Sequence, residues 1–272
     1  MAFNYIGGKK LIAPKIVNFF PGNYSTYLEP FCGSAAVFFA KKKKVDMEVL
    51  NDVNSNIFTF FEVLRDQTEE FQGYLENLPY SFELYKKYLI KYRANNYKNK
   101  IEQAAVFWFL ANCSFAGKIE SGIARGKDKK RSHPLTLKNK VRDILRFRDR
   151  LRNVYLENED FQAVIERYDG RNGLIYCDPP YINAEHYYKA SENNKFGQEN
   201  HIRLAEVLNK AKSKVILSYY LDELLKELYA GWNFIEIPTF KSSSNYNALK
   251  AQKCTELIIT NFVPKNIQLE LC

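Results

Sequence analysis

Nowhere in this chain does an apolar run approach the roughly 20 residues that a helix needs to cross a bilayer, so a membrane-spanning protein is not expected. Cysteine is scarce and scattered: Cys32, Cys113, Cys177, Cys254 and Cys272 are odd in number and form no C-x-x-C pair. That pattern argues against a disulfide framework or a structural zinc and for a reducing, cytoplasmic setting. Histidine is scarcer still, with three in 272 residues, too few to suggest a metal centre; no metal is expected. The opening "MAFNYIGGKKLIAPK" is interrupted by glycine and lysine, where a secretory signal would run apolar. Absent too is G-x-G-x-x-G, the glycine fingerprint of a pyrophosphate-binding turn.

What the chain has in excess is positive charge, and that excess is local. The net charge is +9, yet Lys86–Arg152 alone holds 19 Lys and Arg against 5 Asp and Glu. A solvated helix face mixes both signs; a one-signed segment interleaved with aromatics points to an acidic partner, above all a phosphate backbone. With 46% hydrophobic residues, the chain can bury one good core with room for a smaller lobe.

Strand-and-helix alternation brackets the basic segment. "STYLEPFCGSAAVFFAKKK" reads as strand, tight turn and helix, and "MEVLNDVNSNIFTFFEVLRD" as strand, acid and helix, with Asn54 or Ser55 as N-cap. From about Thr68 to Asn153 the pattern changes. "EQAAVFWFLANCSF" reads as helix, "AGKIESGIARGKDKKRSHP" as a basic loop and "LKNKVRDILRFRDRLRN" as one basic amphipathic helix. Alternation resumes with "VYLENEDFQAVIERY", "GLIYCDPPY" and "KVILSYY". "WNFIEIPTF" and "CTELIITNFVP" read as a closing antiparallel pair. The expected architecture is an α/β sheet domain, residues 1–67 and 154–272, interrupted by a mainly helical basic insertion, residues 68–153.

Two places in the sheet domain carry chemistry. In "GLIYCDPPY", two prolines force the chain out of its strand, which leaves Asp178 at the strand's carboxyl end, where open α/β sheets bind ligands. In "EPFCGSAA", a small-residue turn around Gly33 admits a ligand to the backbone. Asp52, closing the next strand, is placed to accept from ribose hydroxyls. Without a pyrophosphate fingerprint, a nucleoside lacking a diphosphate fits better than a dinucleotide.

Taken together and in order, these stretches resemble the S-adenosylmethionine-dependent DNA adenine-N6 methyltransferases, the Dam-like D12 class. "YIGGKK" resembles that family's amino-terminal cofactor motif, "EPFCGSAAVFF" its glycine motif and "LNDVNSNIFTFF" its acidic motif. "NEDFQAVI" resembles the third cofactor motif, "CDPPY" the catalytic motif and "KCTELIITNF" the closing strand. The resemblance implies a Rossmann-like methyltransferase sheet with helices on both faces, an inserted target-recognition domain, S-adenosylmethionine as methyl donor and double-stranded DNA as partner. It implies that Phe31, Gly33 and Ser34 line the cofactor turn and Asp52 binds its ribose. Asp160 would bond its adenine, and Tyr5 and Lys9 would contribute from the amino-terminal motif. Five residues also have plain structural alternatives: Phe31 and Tyr5 as core aromatics, Lys9 as a surface lysine, Glu29 as a helix-cap partner and Asp160 as cap of the helix starting at Phe161.

The chemistry of adenine methylation accounts for the catalytic motif, residues Asp178, Pro179, Pro180 and Tyr181. The lone pair of N6 is delocalised into the ring, so the amine is a poor nucleophile. Acceptors for its two N–H bonds, the Asp178 carboxylate and the Pro179 carbonyl, would pull it towards tetrahedral geometry. Pro180 holds Pro179 extended, and Tyr181 offers a ring for stacking. Within a duplex N6 is out of reach, so the adenine must be flipped out.

One departure from GATC-reading relatives lies in the insertion. After "SFAG" they continue with Arg-x-Asn and Gly-x-Phe-Asn, where this chain has "KIESGIARGKDKKRSHP". Arg125, Lys127, Lys129, Lys130 and Arg131 are candidate DNA contacts, mostly to phosphate. The recognition sequence is not legible, nor is pairing with a restriction endonuclease. Two alternatives stay open: RNA adenine or protein-glutamine methylation by the same D-P-P-Y chemistry, and a DNA-binding protein that has lost catalysis.

Overall fold

The computed structural model describes residues 2–5, 8–124, 132–182, 196–241 and 252–264. Seven strands form one sheet: β1 Thr26–Glu29, β2 Met47–Asn51, β3 Val154–Glu157, β4 Gly173–Cys177, β5 Lys214–Tyr219, β6 Asn233–Lys241 and β7 Gln252–Thr260. Their order is β3-β2-β1-β4-β5-β7-β6. β1 to β5 run parallel. β7 lies antiparallel between β5 and β6, so the last strand sits inside the sheet and β6 forms its edge. The antiparallel pair was legible from the sequence; the interior place of β7 was not.

Alternation along each strand builds two cores. Tyr27, Leu50, Leu174, Tyr176, Ile216 and Ile258 face one side; Leu28, Val49, Ile175, Cys177, Val215, Leu217, Leu257 and Ile259 face the other, as the two-residue period of a strand requires. The first face is covered by α1 Ala13–Val17, α2 Ala36–Ala40 and α3 Ser55–Asp66, and the second by α9 Phe161–Tyr168, α10 Gln198–Lys210 and α11 Glu223–Leu228.

Between α3 and β3 come α4 Thr68–Glu76, α5 Phe82–Arg93, α6 Lys100–Cys113, α7 His133–Arg142 and α8 Leu145–Leu151. α6 is buried on all sides from Ala104 to Ala111, the mark of a helix inside a core, and it packs on α3 within the first core. The single basic helix expected from "LKNKVRDILRFRDRLRN" is instead two. The Asp143 N–H donates to both Asn139 and Val141 carbonyls and the Ile144 N–H to Val141, a tightened turn that ends α7. α8 then carries Arg150 to Glu48 of β2, with Nη2 to Oε1 at 2.7 Å and the guanidinium 3.8 Å above the Phe38 ring.

Candidate functional site

The carboxyl ends of β1 and β4 part where the chain order reverses, and a cavity of about 1100 Å³ opens there, the usual ligand crevice of open α/β sheets. Its floor is the turn after β1. Gly33 has φ +48°, and a Cβ there would lie 3.2 Å from the Tyr5 ring. Ala35 is also left-handed, at φ +51°, a conformation L residues adopt at a cost. Gly33 donates its N–H to Asp52 Oδ2 at 2.9 Å, and Asn54 donates its N–H to Asp52 Oδ1 at 3.0 Å. Burial pushes the Asp52 carboxyl up to about 6 against the pull of those two bonds. Of the two cap candidates, Asn54 is the one that caps α3, its side chain accepting from the Asn56 N–H.

Asn51, a residue with no charge to mark it in the sequence, staples the floor together. Its amide donates to the Pro30 and Glu159 carbonyls and accepts from the Glu159 N–H. The end of β1 is thus tied to the loop after β3. Phe31 forms the adjoining wall, its ring centroid 5.3 Å from Phe161 and 5.5 Å from Phe196. Ser34 is buried. Asp160 lines the same end and caps α9 through Oδ1, accepting from Gln162, while Oδ2 pairs with Arg203 at 2.7 Å. Capping is therefore observed, and one oxygen of a half-exposed carboxylate still faces the cavity rim with Arg203.

At the other end stands Asp178, one residue past β4. Lys9 is no surface lysine: it is 7% exposed, and its Nζ lies 2.8 Å from Asp178 Oδ1 and 3.4 Å from Glu256 Oε1. The amino-terminal segment reaches this position because α6 grips it. Phe3 is fully buried against Phe60 and Phe107, and the Trp108 indole donates to the Ala2 carbonyl at 2.9 Å. The Asn4 N–H donates to Asn112 Oδ1 at 3.2 Å. Lys140 of α7 donates to both Asn4 and Asn112 side-chain oxygens; burial brings its own ammonium down to about 8.

Tyr181 is 5% exposed, its hydroxyl donating to Glu256 Oε1 and its ring 4.6 Å from the Lys9 ammonium. Tyr219 and Tyr220 flank that ring, with centroids at 5.4 and 4.7 Å. Pro180 and Asp178 line the cavity, whereas Tyr181 stands behind them. One ammonium thus serves two carboxylates, Glu256 buried and Asp178 partly open to the cavity. Burial opposes the Lys9 charge, but Asp178 and Glu256 outweigh it and hold the ammonium above its ordinary value. Burial raises Asp178, with Lys9 and the Tyr181 hydroxyl pulling the other way. Burial likewise raises Glu256, opposed by Lys9 and reinforced by Asp178.

Glu29, at the end of β1, is 1% exposed; burial lifts it to about 8 while the Tyr27 hydroxyl and the Phe38 N–H, in the first turns of α2, hold it back. That contact fits its reading as a helix partner. Glu256 has one faint signal in the sequence, an acid in the apolar strand "TELIIT". Arg125, Lys127, Lys129, Lys130 and Arg131 lie outside the described residues.

The arrangement is chemically specific. One end offers backbone approach, a carboxylate and an aromatic wall, as a nucleoside needs; the other offers the clamped Asp178 carboxylate with Pro180 beside it. A family model for D12 class N6 adenine-specific DNA methyltransferase matches residues 5–242. A type II methyltransferase of Lactococcus lactis subsp. cremoris, M1.LlaDCHI, is 26% identical over 95% of this chain and 94% of its own. The DNA adenine methylase of Haemophilus influenzae is 25% identical over 93% and 91%. The type II methyltransferase M.CviBI of Paramecium bursaria Chlorella virus NC1A is 22% identical over 96% of both chains.

Proposed function

The chain belongs to the D12 class of N6 adenine-specific DNA methyltransferases, and on that footing we propose that it moves the methyl group of S-adenosylmethionine to the N6 amine of an adenine flipped out of double-stranded DNA. The observation that carries this reading is Asp178 held by Lys9 at 2.8 Å on the same cavity whose far end is the Gly33–Asp52 turn. The cavity, at about 1100 Å³, exceeds the usual range of small-ligand pockets, roughly 300–1,000 Å³, and so has room for a nucleoside donor and a target base together. Bound S-adenosylmethionine supplies an electrophilic methyl on a sulfonium.

The chain's own residues do the rest. Asp52 retains lone pairs for ribose hydroxyls beyond its two backbone bonds. Phe31, Phe161 and Phe196 make an apolar slot for the donor's adenine, with Asp160 at its rim. Tyr5 covers the glycine turn. Asp178 and the Pro179 carbonyl accept the N6 hydrogens and sharpen the lone pair. Lys9, which lines the cavity beside Asp178, is assigned both to the donor's end of the site and to orienting Asp178. Pro180 faces the incoming base, and Tyr181 is assigned to stacking on it with its hydroxyl still held by Glu256.

We assign residues 68–153 to target recognition, with Arg125, Lys127, Lys129, Lys130 and Arg131 on phosphates, and extend to this chain the restriction-modification setting that the type II relatives' names suggest. Expression in a methylation-free bacterial host, followed by long-read sequencing, tests the whole reading: N6-methyladenine in a fixed context is expected, and unmodified DNA refutes it. Neutralising Lys127, Lys129, Lys130 and Arg131 should flatten the salt dependence of DNA binding by about 0.9 in log–log slope per lost phosphate contact.

A further inference from the structure

β7 runs through the sheet interior, and Leu257, Ile258 and Ile259 are buried and apolar as such a strand demands. Glu256 breaks that pattern at 3% exposure. A buried carboxylate costs several kcal/mol unless compensated, and packing alone does not call for one here: a neutral glutamine would also accept the Tyr181 hydroxyl. What the charge adds is its second contact, to the Lys9 ammonium at 3.4 Å, while Lys9 pairs with Asp178 at 2.8 Å.

We propose that Glu256 is a positioning residue for methyl transfer: it anchors the Tyr181 ring through its hydroxyl and shares the Lys9 ammonium, so that Asp178 remains a strong acceptor for the target amine. This rests on the function proposed above. Were Asp178 the sole partner of Lys9, the full neutralising charge would fall on the one carboxylate that must accept an N–H. A carboxylate held tightly by a cation is a weaker base and a weaker acceptor. With Glu256 opposite, Lys9 orients Asp178 without spending its whole charge there. Each hydrogen of Lys9 or Tyr181 that Glu256 accepts is one that Asp178 does not have to. The groups facing Glu256 are Lys9 from the amino-terminal segment, Asp178 and Tyr181 after β4, and, more remotely, Tyr176 of β4. Tyr176 is bonded to Ser218 at 2.8 Å, and Tyr220 adds to the field at Lys9.

The test is Glu256→Gln beside Glu256→Asp, with plasmid DNA from a methylation-free host and radiolabelled S-adenosylmethionine. Glu256→Gln should lower kcat by about 10- to 100-fold, the effect of losing a partner that orients a working ligand, with KM for donor and DNA within about threefold. Removing the negative charge should move both limbs of the kcat–pH profile to lower pH, because Asp178 and Lys9 each lose a neighbouring charge that favours their protonated forms. Nitrogen-15 NMR of the Lys9 ammonium, read without substrate, should show the same downward displacement. Glu256→Asp keeps the charge and should keep the limbs in place while kcat falls less. A Glu256→Gln protein with wild-type kcat, or with reduced kcat but unmoved limbs and unmoved Lys9 titration, overturns the inference. If Glu256→Gln does not fold, Tyr181→Phe carries the test: kcat should fall as the ring loses its anchor, and an unchanged kcat overturns the inference. Wild-type protein that methylates no DNA overturns the function itself, and the Lys9 titration still decides the contact.

Discussion

Asp52 and Asp178 stand past the carboxyl ends of two strands of one sheet, β2 and β4, yet they are held by different means. Asp52 takes its hydrogen bonds from main chain, the Gly33 and Asn54 N–H groups, which come with the turn and cannot swing away. Asp178 is held by side chains, Lys9 and through it Glu256, which can adjust as a substrate arrives. The first is a fixed acceptor suited to holding an unreactive ligand group. The second has an adjustable basicity, which suits a carboxylate whose partner changes charge during a reaction.

Removing Asp178 tests the contrast most severely. Asp178→Ala should lower methyl transfer about 100-fold or more, the scale of losing one transition-state hydrogen-bond partner, while calorimetric affinity for S-adenosylmethionine stays within a few-fold. Loss of cofactor binding in that variant would erase the division of labour. Asp52→Ala should do the reverse, weakening S-adenosylmethionine and S-adenosylhomocysteine together by about tenfold or more, since a charged hydrogen bond is worth about 1.5–3 kcal/mol. Equal affinities in a folded Asp52→Ala protein would remove it from the site.

Acidity gives a gentler probe. Because Asp52 titrates near 6, cofactor affinity should be steady above pH 7 and decline several-fold as the carboxylate takes up its proton below about 6; Asp52→Asn should be flat across that range. The linked stability has the opposite sense. A carboxyl whose folded pKa is raised stabilises the ligand-free fold at low pH, and that contribution is lost as pH rises through about 6, so thermal melts should show it without ligand. The smallest effect concerns Asp160. As the cap of α9, its change to Ala should cost about 1 kcal/mol in urea unfolding, with a smaller loss of cofactor affinity than Asp52→Ala.

How much of this could be read from sequence follows from range. The Gly33 turn, the placing of Asp52 after β2 and of Asp178 after β4 were legible because each rests on a few neighbouring residues: a short apolar run, then glycine, acid or proline. The contact of Lys9 with Asp178 spans 169 positions and depends on α6 anchoring Phe3, which no local pattern reports. Glu256 was hidden for the same reason, since its partners are known only once β7 is seen between β5 and β6. The division of the basic helix into α7 and α8 escaped because apolar periodicity continues through Val141, Ile144 and Leu151, all buried, across a turn that contains neither glycine nor proline.

The pairing of β2 with β3, Glu48 opposite Val154, has a consequence for how the chain is made. On a ribosome, β2 emerges with one edge open and waits while six α-helices, α3 to α8, are synthesised before its neighbour appears. Long-range parallel pairing forms slowly, and an open strand edge invites pairing with other chains. Arg150, bonded to Glu48 from α8, reaches that edge only four residues before β3 does. We predict that the helical segment is the timekeeper of assembly: pulse-labelled hydrogen exchange should protect α6 before β2 and β3, and Arg150→Ala should lengthen the interval and raise the yield of aggregates on refolding. Simultaneous protection of β2, β3 and α6 would show that no such waiting period exists.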